Sequence, residues 1–286
     1  RNVQDKNLHI VILDDGTPAK YLKKIKKKFP EIEIIKSKFH EMKTNSLAQN
    51  KAIETTNVPI ELWLQSAQNA SDYFLLLEDD IWFTKKIDLE ETQNTLKENT
   101  IYMLKLFWLN NPQLVYGTTK KINNFISIYT PRVFTKFPFL HRLIFGTTLF
   151  GILKCMAFLG LFSKEKALHY YSIYGVAGAI FQKKYFLSLW KGHNNEVDEN
   201  LQLKNAVQFW YKNPLIQFAR TEEEIVATGF SSSATNKNYD TGQFDIFTFN
   251  KILNEAWFED RLLSVTDFNN DLSKREIETI LLQNNN

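Results

Sequence analysis

"SDYFLLLEDDIWF", residues 71–83, joins an apolar run to a cluster of three acidic residues. Four apolar residues, Phe74 to Leu77, precede three carboxylates, Glu78, Asp79 and Asp80, and the chain then becomes apolar again. A short apolar run of this kind is typical of a buried strand. Adjacent carboxylates repel each other and are costly to bury, so we expect a positive group to neutralise them. The sequence therefore predicts a buried strand with an acidic carboxyl end.

The segments before this strand alternate in type. They read as a strand at residues 8–15, a helix at 19–29, a strand at 31–37 and a helix over 44–70 with a break at Pro59. A further strand is expected at residues 101–109. This alternation is typical of an α/β protein whose mostly parallel sheet is flanked by helices.

Composition allows one large domain or two closely packed ones in 286 residues, because 44% of them are hydrophobic. A net charge of +3 permits an anionic partner but gives no support for nucleic acid. We expect the lysine-rich run Lys23 to Lys28 to be a solvated helix face. The single cysteine, Cys155, excludes an internal disulfide and a cysteine-rich metal site, and a reducing compartment is the default expectation.

The middle of the chain is rich in aromatic residues and predicts a helical insertion. Residues 143–162 contain one charge, Lys154, and are long enough to cross a bilayer. Three glycines, two threonines and the central lysine weigh against a true span. We favour a helix buried against the sheet, with peripheral membrane contact through residues 143–162 as the alternative.

Acidic residues follow two of the expected strands, at Asp14–Asp15 and at Glu78–Asp80. In parallel α/β sheets ligands collect beyond the carboxyl ends of the strands. Mg²⁺ and Mn²⁺ prefer carboxylate oxygens and commonly bridge them to substrate phosphates. In an extended strand end, Glu78 and Asp80 share a face and Asp79 points the opposite way. Glu78 and Asp80 are therefore the candidate metal ligands, and a solvated loop or helix cap is the structural alternative.

Several segments resemble glycosyltransferases with the GT-A fold. "YFLLLEDDIWF" resembles their acidic metal-binding motif, and "IVILDDGTP" is similar to the "VDDGS" segment of family 2. A closer resemblance is to the N-acetylglucosaminyltransferase IV group, through "LEDDI", the pair Gln49–Asn50 and the turn "ATGFSSSATNK" at 227–237. The resemblance implies a GT-A-like sheet, a divalent cation (Mn²⁺ or Mg²⁺) and a nucleotide-sugar donor such as UDP-N-acetylglucosamine.

The resemblance also implies roles for individual residues. Inverting transfer needs a general base within reach of the acceptor hydroxyl. The match places Asp198 in that role, with Glu199 and Glu196 near enough in sequence to exchange with it. Asp198 has a structural alternative as the cap of the helix that follows. The residues implied for the nucleotide are Asp14, Asp15, Asn50, Glu78 and Asp79, and those implied for the metal are Asp80 and Glu78.

Two departures from the family are visible. Its members carry a histidine ligand where this chain has Ala227, and they begin with a strand and helix where only seven residues precede Leu8. Either that first unit lies ahead of Arg1, or the nucleotide pocket is open on one side.

Glycines and tryptophans supply weaker candidates. The resemblance implies that Gly175 and Gly178 lie beside the donor sugar, although a turn and a packing contact explain them equally well. Acceptor sugars could stack on aromatic rings, although core packing is their commoner use. The tryptophans in question are Trp82, Trp108, Trp190 and Trp210.

The sequence thus predicts an inverting, metal-dependent glycosyltransferase that moves a sugar to a glycan or lipid-linked acceptor. Residues 1–125 would bind the nucleotide sugar, and residues 126–286 would form the acceptor side of the same domain. The alternatives are sugar-nucleotide synthesis, for which no early Gly-rich basic loop is seen, and a catalytically inactive GT-A-like domain. We expect a cytoplasmic protein, with membrane association or a lumenal domain of a longer chain as alternatives.

Overall fold

The computed structural model describes residues 2–5, 8–49, 58–79, 81–145, 150–175, 178–194, 196–228 and 246–262. This part of the chain contains ten α-helices and twelve short strands. The helices are α1 Ala19–Lys28, α2 His40–Ala48, α3 Ile60–Asn69, α4 Leu89–Glu98, α5 Pro138–Phe145, α6 Phe150–Phe158, α7 Lys164–Leu168, α8 Lys183–Leu189, α9 Glu199–Lys212 and α10 Ile246–Phe258. The strands are β1 Val3–Gln4, β2 Val11–Asp14, β3 Glu33–Lys36, β4 Tyr73–Leu76, β5 Ile81–Phe83, β6 Ile87–Asp88, β7 Ile101–Lys105, β8 Gly117–Lys121, β9 Ile126–Pro131, β10 Ala179–Gln182, β11 Gln217–Thr221 and β12 Val226–Thr228.

The central sheet has six strands in the order β4-β10-β7-β11-β9-β8. Strands β4, β7, β11 and β8 run in one direction, while β10 and β9 run between them in the other. Within this sheet β7 and β11 are the neighbours that pair in parallel. The α/β class is confirmed, with a mixed sheet. The boundary expected at residue 125 falls inside the β8–β9 hairpin, and both halves of the chain contribute strands to the sheet.

Three two-stranded sheets accompany the central one. Strand β2 pairs in parallel with β3, β1 pairs in parallel with β6, and β5 pairs antiparallel with β12. The strands predicted at residues 8–15, 31–37 and 101–109 are confirmed with tighter bounds as β2, β3 and β7.

The predicted helices are found in part. The helix expected at 19–29 is α1, whose last residue precedes Phe29 and Pro30. The long helical region expected over 44–70 contains α2 and α3, and α3 begins directly after Pro59. The residues between these helices, 50–57, lie outside the described part.

Two apolar clusters cover the faces of the central sheet because side chains alternate along each strand. Met103 and Phe218 point into the cluster beneath α8 and α9. Leu104 and Ala219, one residue further along, point into the cluster that contains Leu96 of α4. This packing fixes the sheet rigidly and thereby fixes the positions of its carboxyl ends.

The expected lysine-rich face of α1 is only partly solvated. The Lys24 ammonium donates to the carbonyls of Trp257 and Phe258 at the end of α10, at 2.8 and 2.6 Å. It also pairs with Asp260 at 2.6 Å, and its side chain is only 15% exposed. The interpretation of residues 23–28 as a solvated face is therefore wrong at Lys24, which joins α1 to α10.

The favoured interpretation of residues 143–162 as a helix buried against the sheet is wrong for the described side chains at the end of α6. Met156 packs against the core, but Phe158 is 92% exposed and Lys154 and Cys155 are exposed as well. Across the described residues, no helix combines the length and apolar character needed to cross a bilayer.

Candidate functional site

The carboxyl ends of β4, β7 and β11 meet at one edge of the central sheet, because these strands run in the same direction. Gly178 joins two of them. Its N–H donates to the Leu76 carbonyl at 2.9 Å, and its carbonyl accepts from the Leu106 N–H at 3.1 Å. Strand β10 begins at this edge, and Gly178 lies there between the ends of β4 and β7.

Gly178 is required by the backbone and by its neighbour. Its φ is +63°, and a Cβ built there would lie 2.1 Å from Cε1 of Phe107. Of the two explanations given by the sequence, close packing therefore accounts for Gly178. At Gly175 an added Cβ meets Met103 and Lys105 at ordinary distances of 3.7 and 3.8 Å, so packing does not demand a glycine there.

The acidic end of β4 is a turn. The strand ends at Leu76, and the Glu78 carbonyl accepts a hydrogen bond from the Ile81 N–H at 3.1 Å. Strand alternation was the basis for expecting Glu78 and Asp80 on one face, and the strand ends at Leu76, before either residue. Glu78 and Asp79 are exposed at the edge of the sheet, whereas Asp80 and Asn50 lie outside the described residues.

A tyrosine-rich segment, residues 169–175, covers the same edge. Two buried tyrosines donate hydrogen bonds to its backbone. The Tyr129 hydroxyl of β9 donates to the Ser172 carbonyl at 2.7 Å, and the Tyr185 hydroxyl of α8 donates to the Ile173 carbonyl. Both of these tyrosines are fully buried in the core. The segment is thereby fixed to the sheet and to α8, and it presents Tyr171 and Tyr174 in a defined geometry.

Tyr171 and Tyr174 connect this segment to α9. The Tyr171 hydroxyl donates to Glu199 Oε2 at 2.9 Å, and the Tyr174 hydroxyl donates to Gln202 Oε1. Burial raises the pKa of Tyr174 well above its usual range, and the negative charges of Glu199 and Glu78 raise it further. Tyr174 thus feels the negative charge of both Glu78 of the acidic turn and Glu199 of α9.

Asp198 caps α9. Its Oδ1 accepts a hydrogen bond from the Leu201 N–H at 3.1 Å, which satisfies one of the free backbone donors of the first turn. The structural alternative for Asp198 is confirmed. Its role as a base stays a prediction, and Glu199 is the neighbouring carboxylate joined to the tyrosine segment.

Lys105 is a buried amine at the end of β7, with 7% of its surface exposed. Its Nζ donates to the carbonyls of Tyr171 at 2.5 Å and Leu114 at 3.0 Å. Burial lowers the pKa of Lys105 to about 7. The Lys105 amine thus anchors the tyrosine-rich segment to the end of β7 through the Tyr171 carbonyl.

Arg220 of β11 lies opposite Lys105 in the parallel pair. Its guanidinium carbon is 5.0 Å from the centre of the Trp108 ring, a cation–π contact. The Arg220 Nε is buried, and no hydrogen-bond acceptor for it is found in the described part of the chain. Two cationic side chains therefore stand side by side where β7 and β11 end.

Asp14 and Asp15 occupy the end of β2, in a different sheet. The buried Asp14 carboxylate pairs with His40 and accepts from the Thr17 N–H at 3.1 Å. Asp15 pairs with Lys43 and accepts a hydrogen bond from the Ser37 hydroxyl. Both carboxylates thus hold α2 against the β2–β3 sheet. Their role in nucleotide binding stays a prediction.

The four candidate tryptophans divide into two groups. Trp190 and Trp210 are buried in the core, 3% and 9% exposed, so core packing rather than sugar stacking explains these two residues. Trp108 is half-buried against Arg220, and Trp82 is half-buried on β5. Only Trp108 and Trp82 are therefore placed where a ring face remains partly accessible.

The pairing of β5 with β12 bears on the metal site. Ala227 lies opposite Trp82, and Thr228 lies opposite Ile81, the residue that follows Asp80. The predicted turn at 227–237 therefore enters beside the acidic motif, although its residues from 229 onwards lie outside the described part. Among the described residues, no three His, Cys, Asp or Glu side chains are gathered as a metal site. The exposed Glu78 and Asp79 carboxylates nevertheless have the hard oxygen chemistry that Mg²⁺ and Mn²⁺ prefer.

Sequence reasoning missed four residues of the site. Tyr171 and Tyr174 sit in "HYYSIYG", and Gln202 is a buried amide on α9. Lys105 is the lone charge inside the apolar strand "IYMLKLFWL". A single charge in a buried strand is costly, so Lys105 was the one detectable signal.

Comparison of the chain with protein-family models and with curated proteins finds no match.

Proposed function

We propose that this protein is an inverting, metal-dependent glycosyltransferase of GT-A-like architecture, which uses a nucleotide sugar such as UDP-N-acetylglucosamine. The observation that carries the proposal is the hydrogen bond from the Tyr171 hydroxyl to Glu199, in a segment held by Lys105 at the end of β7, the same side of the sheet on which β4 ends in the acidic motif. The acidic motif supplies the candidate metal ligands, and Glu199 is the candidate base. Transfer needs these two functions at one place.

The acidic turn would serve the donor. Glu78, with Asp80 of the same motif, would hold Mn²⁺ or Mg²⁺, and Asp79 would lie beside the diphosphate. When bound, such an ion stabilises negative charge on a leaving diphosphate. Two exposed adjacent carboxylates at a strand end favour this assignment, since a cation offsets their mutual repulsion.

Glu199 is the base that the geometry favours. The hydrogen bond from Tyr171 fixes one oxygen of the Glu199 carboxylate and leaves the other to accept a proton from an acceptor hydroxyl. Asp198 has its Oδ1 committed to the cap of α9. We therefore assign proton removal to Glu199 and a positioning role to Asp198, which holds the first turn of the helix that carries Glu199.

The acceptor would approach from the side of β7 and β11. Trp108 presents a partly exposed ring beside Arg220, and this combination suits a sugar carrying hydroxyl or anionic groups. A glycan or a lipid-linked sugar both satisfy this description.

An inactive GT-A-like binding domain is the second candidate. It is favoured by Ala227, which replaces the histidine implied by the family resemblance, and by the ion pairs that already engage Asp14 and Asp15. A domain of this kind would bind a nucleotide or glycan without turnover.

The test is release of UDP from UDP-N-acetylglucosamine with Mn²⁺ and a panel of glycan and lipid-linked acceptors. We expect Glu199→Gln to lower transfer at least about a hundredfold while donor affinity is retained. Glu98→Gln, an exposed glutamate at the end of α4, is the matched control and should keep its activity. Donor binding with no turnover in the unmodified protein would favour the inactive domain.

A further inference from the structure

The turn after α6 carries an exposed apolar cluster. Phe158 is 92% exposed, Leu159 is 65% exposed and Leu161 is 50% exposed. Such large side chains, adjacent in the chain and open to water, are unusual for a folded monomer and mark an interaction site.

The backbone holds these side chains outward. The Leu161 N–H donates to the Met156 carbonyl at 2.8 Å, and Gly160 takes the left-handed φ of +68° that ends a helix in this way. Next in the chain, Phe162 is buried and makes an edge contact with Phe134, 5.9 Å between ring centres. The inward anchors, Met156 and Phe162, prevent the turn from folding its exposed residues into the core.

Helices α5 and α6 lie against each other, and each pairs an exposed aromatic with a cation. On α5, Phe139 is 71% exposed and Arg142 follows three residues later. On α6, Lys154 precedes Phe158 by four residues and is also exposed. Residues three or four apart share one helix face. The exposed face of each helix therefore combines a large apolar side chain with a basic one.

The charge of this region is strongly one-sided. Residues 132–166 contain six basic side chains and one acidic side chain, Glu165. The basic ones are Arg132, Lys136, Arg142, Lys154, Lys164 and Lys166. The complementary partner is therefore a surface that is negatively charged and able to accept apolar side chains.

We propose that α5, α6 and the following turn form a docking surface for an anionic lipid membrane, which we call the α5–α6 surface. Its members are Phe139, Arg142, Lys154, Phe158, Leu159 and Leu161. The aromatic and leucine side chains would enter the headgroup boundary, and the cations would face anionic headgroups. A second copy of the chain fits less well, because a symmetric dimer would place the same basic residues opposite each other.

The single cysteine allows a direct test. Cys155 is exposed on α6, between Lys154 and the apolar turn, and accepts a maleimide dye whose emission shifts to the blue in an apolar environment. The labelled protein is mixed with phosphatidylcholine vesicles, or with vesicles that also contain phosphatidylglycerol, and binding is measured by flotation. Neither donor nor acceptor is present, so the outcome does not depend on the proposed glycosyl transfer.

We expect a blue shift and flotation with phosphatidylglycerol vesicles that weaken as salt is added. The pair Phe158→Ser and Leu159→Ser should weaken partitioning at least about tenfold, because the apolar area that enters the membrane is lost. Arg142→Glu with Lys154→Glu should abolish the preference for anionic vesicles. Leu47→Ser on α2 and Lys184→Glu on α8, both exposed and outside the surface, are the matched controls.

Absence of flotation with both vesicle types would overturn the proposal, as would equal binding by the Phe158→Ser, Leu159→Ser protein. Concentration-dependent self-association that these same substitutions abolish would also overturn it, in favour of a second copy. A dye moved to α8, in a Cys155→Ser, Lys184→Cys protein, should show flotation without the blue shift.

Discussion

The hydroxyl of Tyr171 donates a 2.9 Å hydrogen bond to Oε2 of Glu199, joining the segment that covers the sheet edge to the first turn of α9. The Tyr171 carbonyl in turn accepts from the buried amine of Lys105 at the end of β7. A chain of two hydrogen bonds therefore runs from the central sheet to the proposed base. The orientation of Glu199 is set by the sheet rather than by α9 alone.

Removal of the Tyr171 hydroxyl should lower turnover more than it lowers stability. In Tyr171→Phe the Glu199 carboxylate loses one fixed donor, and we expect kcat to fall about tenfold with little change in donor affinity. Tyr211→Phe, which removes an exposed hydroxyl on α9, is the control. Steady-state kinetics on both variants measure this difference. An unchanged kcat in Tyr171→Phe would show that the Tyr171 hydroxyl does not orient Glu199 for catalysis.

Lys105 should make stability depend on pH above neutrality. Its pKa is about 7 in the folded protein and near the ordinary 10.5 in the unfolded chain. Between these values the unfolded chain binds more protons, so the free energy of unfolding rises with pH. Below about pH 7, Lys105 is protonated in both the folded and the unfolded protein, so the folded protein bears the full cost of burying the ammonium.

Lys105→Met should lack this rise, while the exposed Lys97→Met on α4 should keep it. Denaturant unfolding of the three proteins at several pH values from 6 to 10, in roughly unit steps, measures the difference. Parallel stability curves for the original protein and Lys105→Met would show that the amine is not buried in this way.

The two glycines with φ near +65° should respond differently to alanine. Gly178→Ala meets Phe107 at 2.1 Å, whereas an added Cβ at Gly160 meets nothing within 4 Å. Both variants bear the strain of a left-handed residue, about 1 kcal/mol, and only Gly178→Ala adds an overpacking cost of about 2 kcal/mol or more. Equal losses in the two free energies of unfolding would contradict the close approach of Phe107.

Asp14 should prove more important for stability than an exposed aspartate. The Asp14–His40 pair is buried, 3% and 5% exposed, and replacing Asp14 removes the buried carboxylate that faces the His40 ring. We expect Asp14→Asn to lower the free energy of unfolding by about 3 kcal/mol. Asp72→Asn, at an exposed position before β4, should change it by less than about 0.5 kcal/mol. If Asp14→Asn abolished donor binding without loss of stability, the nucleotide role would replace the structural one.

Sequence patterns predicted the elements whose signal is local. The apolar runs of β2, β4 and β7 and the helical spacing of α1 were sufficient, and a helix cap was the structural alternative to the catalytic role predicted for Asp198. The antiparallel insertion of β10 between β4 and β7 was not predictable, because strand order depends on contacts between residues far apart in the chain.

The site shows the same division. Glu78 became a candidate because three carboxylates after an apolar run are conspicuous, whereas Tyr171 and Tyr174 looked like ordinary core aromatics. Their hydroxyls matter only because residues 169–175 fold across the sheet edge towards α9. The apolar character of α6 was equally ambiguous, since a buried helix and a helix with an exposed face have similar sequences.

The role of the acidic turn in donor binding is measured by calorimetric titration of UDP-N-acetylglucosamine into the protein, with and without Mn²⁺. We expect Mn²⁺-dependent binding that Glu78→Gln weakens at least about tenfold. Glu98→Gln, an exposed glutamate at the end of α4, should bind as the original protein does. Binding that is equally strong without Mn²⁺, or unchanged in Glu78→Gln, would contradict the assignment of the acidic turn. Absence of binding to UDP, GDP and CMP sugars alike would contradict the proposed function itself.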